Sequence, residues 1–270
     1  MQIQIPENID LTQPERYVLA IRIHPEQFSF SLCNPAERPS CFYHPLERNK
    51  QLSAFHAFRE AYFDNEFFSL SYKKIYIINF SPVFTYVPSL IFERQEREVY
   101  LDFLFGEKTG KVLSHNLNKQ GITVVHALPD EIYGFFQRSF AGGEIIHHTA
   151  PLITYFHPDK SSNKRNRMLV NLQSTEMDVF CFSSESFLLG NHFTCNSLTD
   201  AVYYILFIWK QLKFDQLNDS IHIEGESGYK KALMDSLNNY LQHIVTETAG
   251  EDIHIPGLPF EMACLPLHGR

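Results

Sequence analysis

The sequence predicts an α/β protein built from two halves that follow one plan. Each half begins with a strand-turn-strand-strand meander, at Tyr17–His44 and at Met168–Phe193, and each continues with helix, strand and helix. The polar segment His157–Asn166 separates the halves and is typical of a linker. The predicted domains are therefore a first half at 1–157, a second half at 158–250, and a tail at 251–270 that packs back on the body because Pro256–Phe260 is apolar.

The first half opens with runs that are typical of strands. Tyr17–Ile23 indicates a buried strand, whereas Gln27–Cys33 alternates apolar residues with serine and indicates a strand buried on one face only. Apolar residues recur at helical spacing in Asn49–Phe63, and Asn49 is placed to cap that helix. The other predicted elements are strands at Cys41–His44, Lys74–Phe80, Lys111–Leu117, Ile122–Ala127 and Glu144–His148, an extended segment at Thr85–Phe92, and helices at Gln95–Phe105, Asp130–Phe140 and Ala150–Phe156.

The second half contains the longest apolar run, Ala201–Trp209. The run is far shorter than the roughly 20 residues that span a bilayer, and it predicts a core helix buried between its sheet and the other half. The other predicted elements are strands at Met168–Gln173, Met177–Phe182, Phe187–Phe193 and Ser220–Glu224, and a helix at Tyr229–Leu241 that Ser227 caps.

Composition narrows the classes of function. A formal net charge of -8 argues against nucleic acid or an anionic membrane as the partner. The N-terminus lacks the basic and apolar regions of a signal peptide, and no segment predicts membrane insertion. Five cysteines without a CxxC pair predict reduced, buried thiols and a cytoplasmic protein. The 24 phenylalanines and 13 tyrosines predict an aromatic core, and exposed aromatics would indicate an interface.

The doubled plan, in which the fourth strand of the second half runs into a glycine turn, resembles the actin-like ATPase superfamily. The run Lys111–Phe156 is similar to the cytoplasmic actin-like proteins of type IV pilus assembly and type II secretion, as is Tyr86–Leu90. Taken whole, the chain resembles an uncharacterised domain-of-unknown-function family of bacterial proteins with this fold. The resemblance covers most of residues 16–245 and implies two ribonuclease-H-like halves that face each other across a nucleotide cleft.

The resemblance also implies where nucleotide would bind, and the sequence departs from the superfamily at those positions. Active members carry Asp-x-Gly at the turn of each meander, because the backbone must approach phosphate and the carboxylate holds hydrated magnesium. The matching positions here are Arg22 and His24 in the first half and Asn171 and Gln173 in the second. The glycine pair on the adenosine side is replaced by Gly225, Glu226 and Ser227. These seven residues line a predicted degenerate cleft without catalytic residues.

Other motifs do not predict a site. Gly106–Val112 resembles a phosphate loop, but the glycine spacing is one short and no Ser or Thr follows the lysine. His147 and His148 are adjacent, and adjacent side chains of a strand face opposite ways, so they are not expected to share a metal. The pairs Cys41 with His44 and His192 with Cys195 lack a second pair at zinc-site spacing.

Three functions remain open. The first is a nucleotide-independent scaffold or adaptor that needs no cofactor and binds a protein partner, with a homodimer as one option. The second is a divergent ATPase or small-molecule kinase that binds ATP and holds Mg²⁺ through Glu176, Asp178 or Glu224. The third is a small-anion binding module that uses Arg22 and His24.

Overall fold

The computed structural model describes residues 2–36, 41–46, 53–106, 110–157, 165–173, 175–225, 227–246, 255 and 257–265. The chain divides into two compact units, Met1–Ala150 with Asp252–Leu258, and Pro151–Glu251 with Pro259–Arg270. This division falls within the helix that precedes the predicted linker. Most of the linker and most of the tail lie outside the described residues, so the domain limits at 157 and 250 and the packing of the tail stay predictions.

The first unit contains a mixed five-stranded sheet and a small antiparallel one. The strand orders are β3-β2-β1-β4-β8 and β5-β7-β6, and β1, β4 and β8 run parallel. The elements are β1 Val18–Ile23, β2 Phe28–Cys33, β3 Cys41–Pro45, α1 Ala54–Asp64, β4 Lys74–Asn79, β5 Phe84–Pro88, α2 Arg97–Phe105, β6 Lys111–Leu117, β7 Ile122–Leu128, α3 Asp130–Ser139, β8 Glu144–His147 and α4 Thr149–Phe156, of which α4 continues into the second unit.

The second unit repeats this strand order in one five-stranded sheet, β11-β10-β9-β12-β13, in which β9, β12 and β13 run parallel. Each unit therefore places an antiparallel meander beside two parallel strands, as expected for duplicated ribonuclease-H-like halves. The elements are β9 Arg167–Leu172, β10 Glu176–Phe182, β11 Phe187–Thr194, α5 Leu198–Gln211, β12 Ser220–Gly225, α6 Lys230–Leu237, β13 His243–Val245 and α7 Phe260–Ala263.

An aromatic core holds the first unit together. The ring of Phe58 on α1 lies 5.2 Å from that of Phe28, 5.6 Å from that of Phe68 and 5.4 Å from that of Phe136 on α3. Such ring pairs add directional contacts to the burial of large apolar surfaces. The prediction that phenylalanines build a core is confirmed here.

Two details of the first unit differ from the sequence-based expectation. Helix α1 begins at Ala54, and the cap is Ser53, whose hydroxyl accepts a hydrogen bond from the His56 backbone N–H. Asn49, the predicted cap, lies outside the described residues. Strand β2 is buried on both faces, since Ser29 and Ser31 are each 2% exposed. The alternating pattern missed this because serine is small enough to fit beneath a covered face.

The cysteines also differ in part from the expectation. Cys33 and Cys41 are directly opposite each other in β2 and β3, with Cα atoms 4.1 Å apart, and form a disulfide. Cys181, Cys195 and Cys264 are free and buried. The expectation of five thiols is therefore wrong at the first pair, because strand pairing joins cysteines that are eight residues apart in sequence.

Helix α5 is less buried than the apolar run predicts. Ser197 and Asp200 form a capping box at its N-terminus, and Ala201, Ile205 and Ile208 pack on the sheet. The opposite side leaves Tyr203 60% and Phe207 48% exposed. The prediction of a buried core helix therefore holds for one side of α5 only. Among the described residues, no helix is long and apolar enough to cross a membrane.

Candidate functional site

A row of polar side chains crosses the sheet of the second unit. Glu224 of β12 lies opposite Asn171 of β9, Asn171 lies opposite Asp178 of β10, and Asp178 lies opposite His192 of β11. Cross-strand partners project to the same face, so these four residues form one line, which we call the polar row. Their sequence neighbours point to the other face and pack with α5 and α6.

The polar row is buried and internally bonded. Asn171 and Asp178 are each 1% exposed and Glu224 is 5% exposed. One oxygen of Asp178 accepts a hydrogen bond from the Asn171 amide at 3.3 Å, and the other lies 2.9 Å from His192 Nδ1. His192 Nε2 lies 3.7 Å from a carboxylate oxygen of Glu176. A buried carboxylate is stable only when it is paired in this way.

The charge of His192 follows from these contacts. Burial by itself lowers the pKa of this imidazole, but the bonds to Asp178 and Glu176 and the charges of both carboxylates outweigh burial and raise the pKa to about 9. His192 is therefore an imidazolium at neutral pH and compensates the charge of Asp178. A group that is already protonated at pH 7 is poorly suited to act as a general base.

The raised pKa of His192 predicts how stability depends on pH. The contribution of the imidazolium is fully present below pH 6.5, the ordinary pKa, and is lost as pH rises through about 9. After a discount for solvent screening, we expect a loss of about 2 kcal/mol in the free energy of unfolding. Urea titrations between pH 6 and 10 measure it. His192→Gln should remove this slope, and parallel profiles for the variant and the wild type would contradict the assignment.

The turn between β9 and β10 is closed by its own backbone. The Gln173 N–H donates to the Glu176 carbonyl at 2.8 Å, and the Glu176 N–H donates to the Gln173 carbonyl at 3.4 Å. Backbone N–H groups in open turns are common phosphate donors. Here these two N–H groups already have acceptors within the turn.

The turn between β12 and α6 depends on Gly225. Its φ of 84° is a left-handed conformation that glycine adopts readily. Lys230 reaches back across this turn, with Nζ 3.4 Å from the Gly225 carbonyl and 3.7 Å from Glu224 Oε2. The Ser227 hydroxyl accepts a hydrogen bond from the Tyr229 N–H. Helix α6 begins one residue later than predicted, at Lys230, so this bond lies just before the helix and not within it. Glu226 lies outside the described residues.

In the first unit, Arg22 and His24 both contact Phe80, which follows β4. The Arg22 guanidinium carbon lies 5.3 Å and the His24 ring 4.6 Å from the centre of the Phe80 ring. His24 also closes the turn between β1 and β2, because its Nδ1 accepts from the Glu26 N–H at 3.2 Å and its carbonyl accepts from the Gln27 N–H at 3.2 Å. Both predicted anion-binding side chains are thus held against an aromatic ring.

Two buried histidines, His147 and His148, extend the ring contacts of Phe80, and their orientation differs from the sequence-based expectation. The His148 ring stacks on Phe80 at 4.1 Å and lies 4.3 Å from the ring of His147. The two histidines do not face opposite ways, because β8 ends at His147 and His148 lies beyond the pleat. His147 bonds to the Ser81 carbonyl and the Thr149 hydroxyl. Burial, with the charges of His115 and His148, lowers the pKa of the neighbouring His126 to about 3, so that ring stays neutral.

The structure brings some of the predicted site residues together. Asn171 packs on Gly225, since a Cβ at that glycine would lie 2.9 Å from Asn171 Oδ1. Arg22 and His24 share Phe80 within the first unit. The contact between Asp178 and His192 is not among the sequence-based predictions. An aspartate between Met177 and Val179 in an otherwise apolar strand was the available signal, since a charge at such a position needs a partner.

The three carboxylates proposed for magnesium do not form a ligand set in the described residues. Asn171 separates Glu224 from Asp178 in the polar row, so the two residues lie two strands apart, or about 10 Å. Both oxygens of Asp178 are bonded within the row.

The two five-stranded sheets have the same strand order. This arrangement places the chain among the proteins of actin-like ATPase fold. A crystal structure from Bacteroides thetaiotaomicron VPI-5482, described as a protein with actin-like ATPase fold and unknown function, is 26% identical. Its TM-score is 0.82, and the match covers 96% of this chain and 98% of that one. The chain belongs to the DUF3822 family, described as a protein of unknown function, whose model matches residues 6–244.

Two further solved structures are similar in fold alone. The PilM-PilN type IV pilus biogenesis complex matches with 11% identity and a TM-score of 0.49 over 94% of this chain and 98% of that chain. The cytoplasmic domain of EpsL, from the type II secretion system of Vibrio cholerae, matches with 10% identity and a TM-score of 0.49 over 93% of each chain. No curated protein matches the chain.

Proposed function

We propose that this protein is a non-catalytic, cytoplasmic adaptor that uses the actin-like fold for its surfaces, binds a protein partner and requires no nucleotide. The observation that carries the proposal is the closure of both meander turns. Amides of the β1–β2 turn donate to His24, and those of the β9–β10 turn donate to carbonyls of the same turn. A phosphate would have to displace these bonds without the aid of an aspartate or a glycine at either turn.

An exposed apolar surface on the small sheet of the first unit also supports an adaptor. Helix α2 packs on this sheet mainly through Leu101, and it leaves Val99 61% and Phe103 86% exposed. Leu90 and Ile91, which follow β5, are 99% and 66% exposed. Neighbouring large apolar side chains at such exposure are typical of protein-binding surfaces.

Thermal unfolding with and without Mg-ATP tests the proposal. A ligand at about 100 times its dissociation constant adds about 2.7 kcal/mol of stability, which raises the melting temperature by several degrees. We expect no shift at millimolar Mg-ATP. An actin-like ATPase known to bind nucleotide serves as the control in the same buffer. A rise in melting temperature that requires both Mg²⁺ and ATP would overturn the nucleotide-independent adaptor.

A further inference from the structure

The edge strand β11 differs from the other sheet edges in the described chain. Edge strands are usually protected from pairing with another chain by shortness, proline or charge. Strands β3 and β5 end in proline, β6 begins with Lys111, β8 carries the ion-paired Glu144, and β13 has three residues. Strand β11 has eight residues, reads FLLGNHFT and contains no proline, lysine, arginine or carboxylate. Its pairing with β10 is regular from Leu189 to Thr194, beyond a bulge at Leu188.

The outward backbone groups of β11 can be assigned from one hydrogen bond. The His192 N–H donates to the side chain of Asn191 at 2.9 Å rather than to β10, so it points away from the sheet. In an antiparallel pair such residues alternate, and Gly190 and Thr194 therefore also direct their backbone groups outward. Asn191 covers one of these N–H groups, and rotation of this exposed side chain uncovers it.

A line of aromatic rings connects this edge to the exposed side of α5. The Phe193 ring of β11 stacks on Tyr204 at 4.4 Å, Tyr204 contacts Tyr203 at 5.6 Å, and Tyr203 stacks on Phe207 at 5.9 Å. Tyr203 is 60% exposed, Phe207 is 48% exposed and Leu188 of β11 is 44% exposed. The β11 edge and the exposed aromatic rings therefore form one continuous surface.

We propose that this surface, β11 with the exposed side of α5, pairs with a second copy of the chain about a two-fold axis. The two β11 strands join antiparallel and extend the sheet across both copies. The axis keeps both α5 helices on the same face of that sheet, where they run antiparallel to each other. A lone extended peptide would cover the edge but leave Tyr203 and Phe207 exposed, whereas a second copy covers the strand and the helix together.

The sequence of α5 is complementary to itself in this arrangement. When the axis crosses α5 at the level of Ile205, Tyr203 lies opposite Phe207 of the second copy. Asp200 then lies opposite Lys210 of the second copy. Each contact occurs twice, as a closed two-fold interface requires. The one charge on each β11, that of His192, is compensated by Asp178 and Glu176 of the same copy. The two Asp200–Lys210 pairs favour this orientation of the helices.

Light scattering coupled to size-exclusion chromatography tests the dimer on the purified full chain. We expect twice the mass of one chain for the wild type. Tyr203→Glu and Leu188→Lys, both at exposed positions, should each raise the dimer dissociation constant at least about tenfold, since each buries a charge in the interface. Phe103→Glu, which adds the same charge to an exposed aromatic position in the first unit, is the matched control and should leave the mass unchanged.

Two outcomes would overturn the proposal. One is the mass of a single chain for the wild type at the highest soluble concentration. The other is a dimer whose dissociation constant is unchanged by both Tyr203→Glu and Leu188→Lys. Circular dichroism melts establish that each variant is folded. Neither outcome depends on nucleotide, so the dimer and the adaptor function fail or stand separately.

Discussion

Replacing Gly225 by alanine is expected to lower the free energy of unfolding by about 3 kcal/mol or more. The glycine has a φ of 84°, and a Cβ there would overlap the carbonyl oxygen of Leu172 and approach Asn171 Oδ1 at 2.9 Å. The first of these atoms belongs to the backbone of β9, so it cannot rotate away. Either β12 separates from β9 or the turn into α6 changes its path.

Gly228 provides the matched control for this substitution. It lies in the same turn, its φ is not left-handed, and a Cβ there meets no atom within 4 Å. We expect Gly228→Ala to leave stability nearly unchanged or to raise it slightly. Urea unfolding of both variants measures the difference from the denaturation midpoint. Equal midpoints for the two variants would show that the turn does not need the conformation described.

Replacing Asp178 by alanine is expected to cost about 3–5 kcal/mol at pH 7. The change leaves the buried imidazolium of His192 without its nearest carboxylate and the amide of Asn171 without its acceptor. Asp178→Asn should cost less, because it keeps an acceptor for His192 while it removes the negative charge. The pKa of His192 should fall in both variants, since Asp178 is a main cause of its rise.

The control for Asp178 is an exposed aspartate on α6. Asp235→Asn removes the same charge at a solvated position, where substitutions usually change stability little. Chemical denaturation gives the stabilities, and the histidine resonances in a pH titration by NMR give the pKa. If Asp178→Ala were as stable as Asp235→Asn, the polar row would not stabilise the sheet.

The order of elements could be predicted because each element carries its own periodicity. Strands such as Tyr17–Ile23 and the helix Asp130–Phe140 follow from short windows of sequence, and the structure places β1 and α3 there. The duplication of the two halves could also be predicted from the order of elements. Two meanders, each followed by helix, strand and helix, can be recognised without sequence identity between the halves. The match to a protein of actin-like fold confirms that reading.

The polar row could not be predicted in the same way because it depends on register. Asn171, Asp178 and His192 become neighbours only when three strands align at particular residues, and a shift by one residue would turn each side chain to the other face. The disulfide between Cys33 and Cys41 was missed for the same reason. The exposure of Tyr203 was missed because hydrophobicity alone does not show which side of a helix is covered.

The small sheet β5-β7-β6 lies within the crossover between two strands that pair directly with each other. Strand β4 pairs with β8 residue by residue, whereas β5 and β6 each pair with β7 in a separate sheet. The Asn79 side chain joins the two sheets through bonds to His126 and the Ala127 carbonyl. The crossover is therefore a module, and we expect substitutions on the outer surface of α2 to leave the register of the five-stranded sheet unchanged.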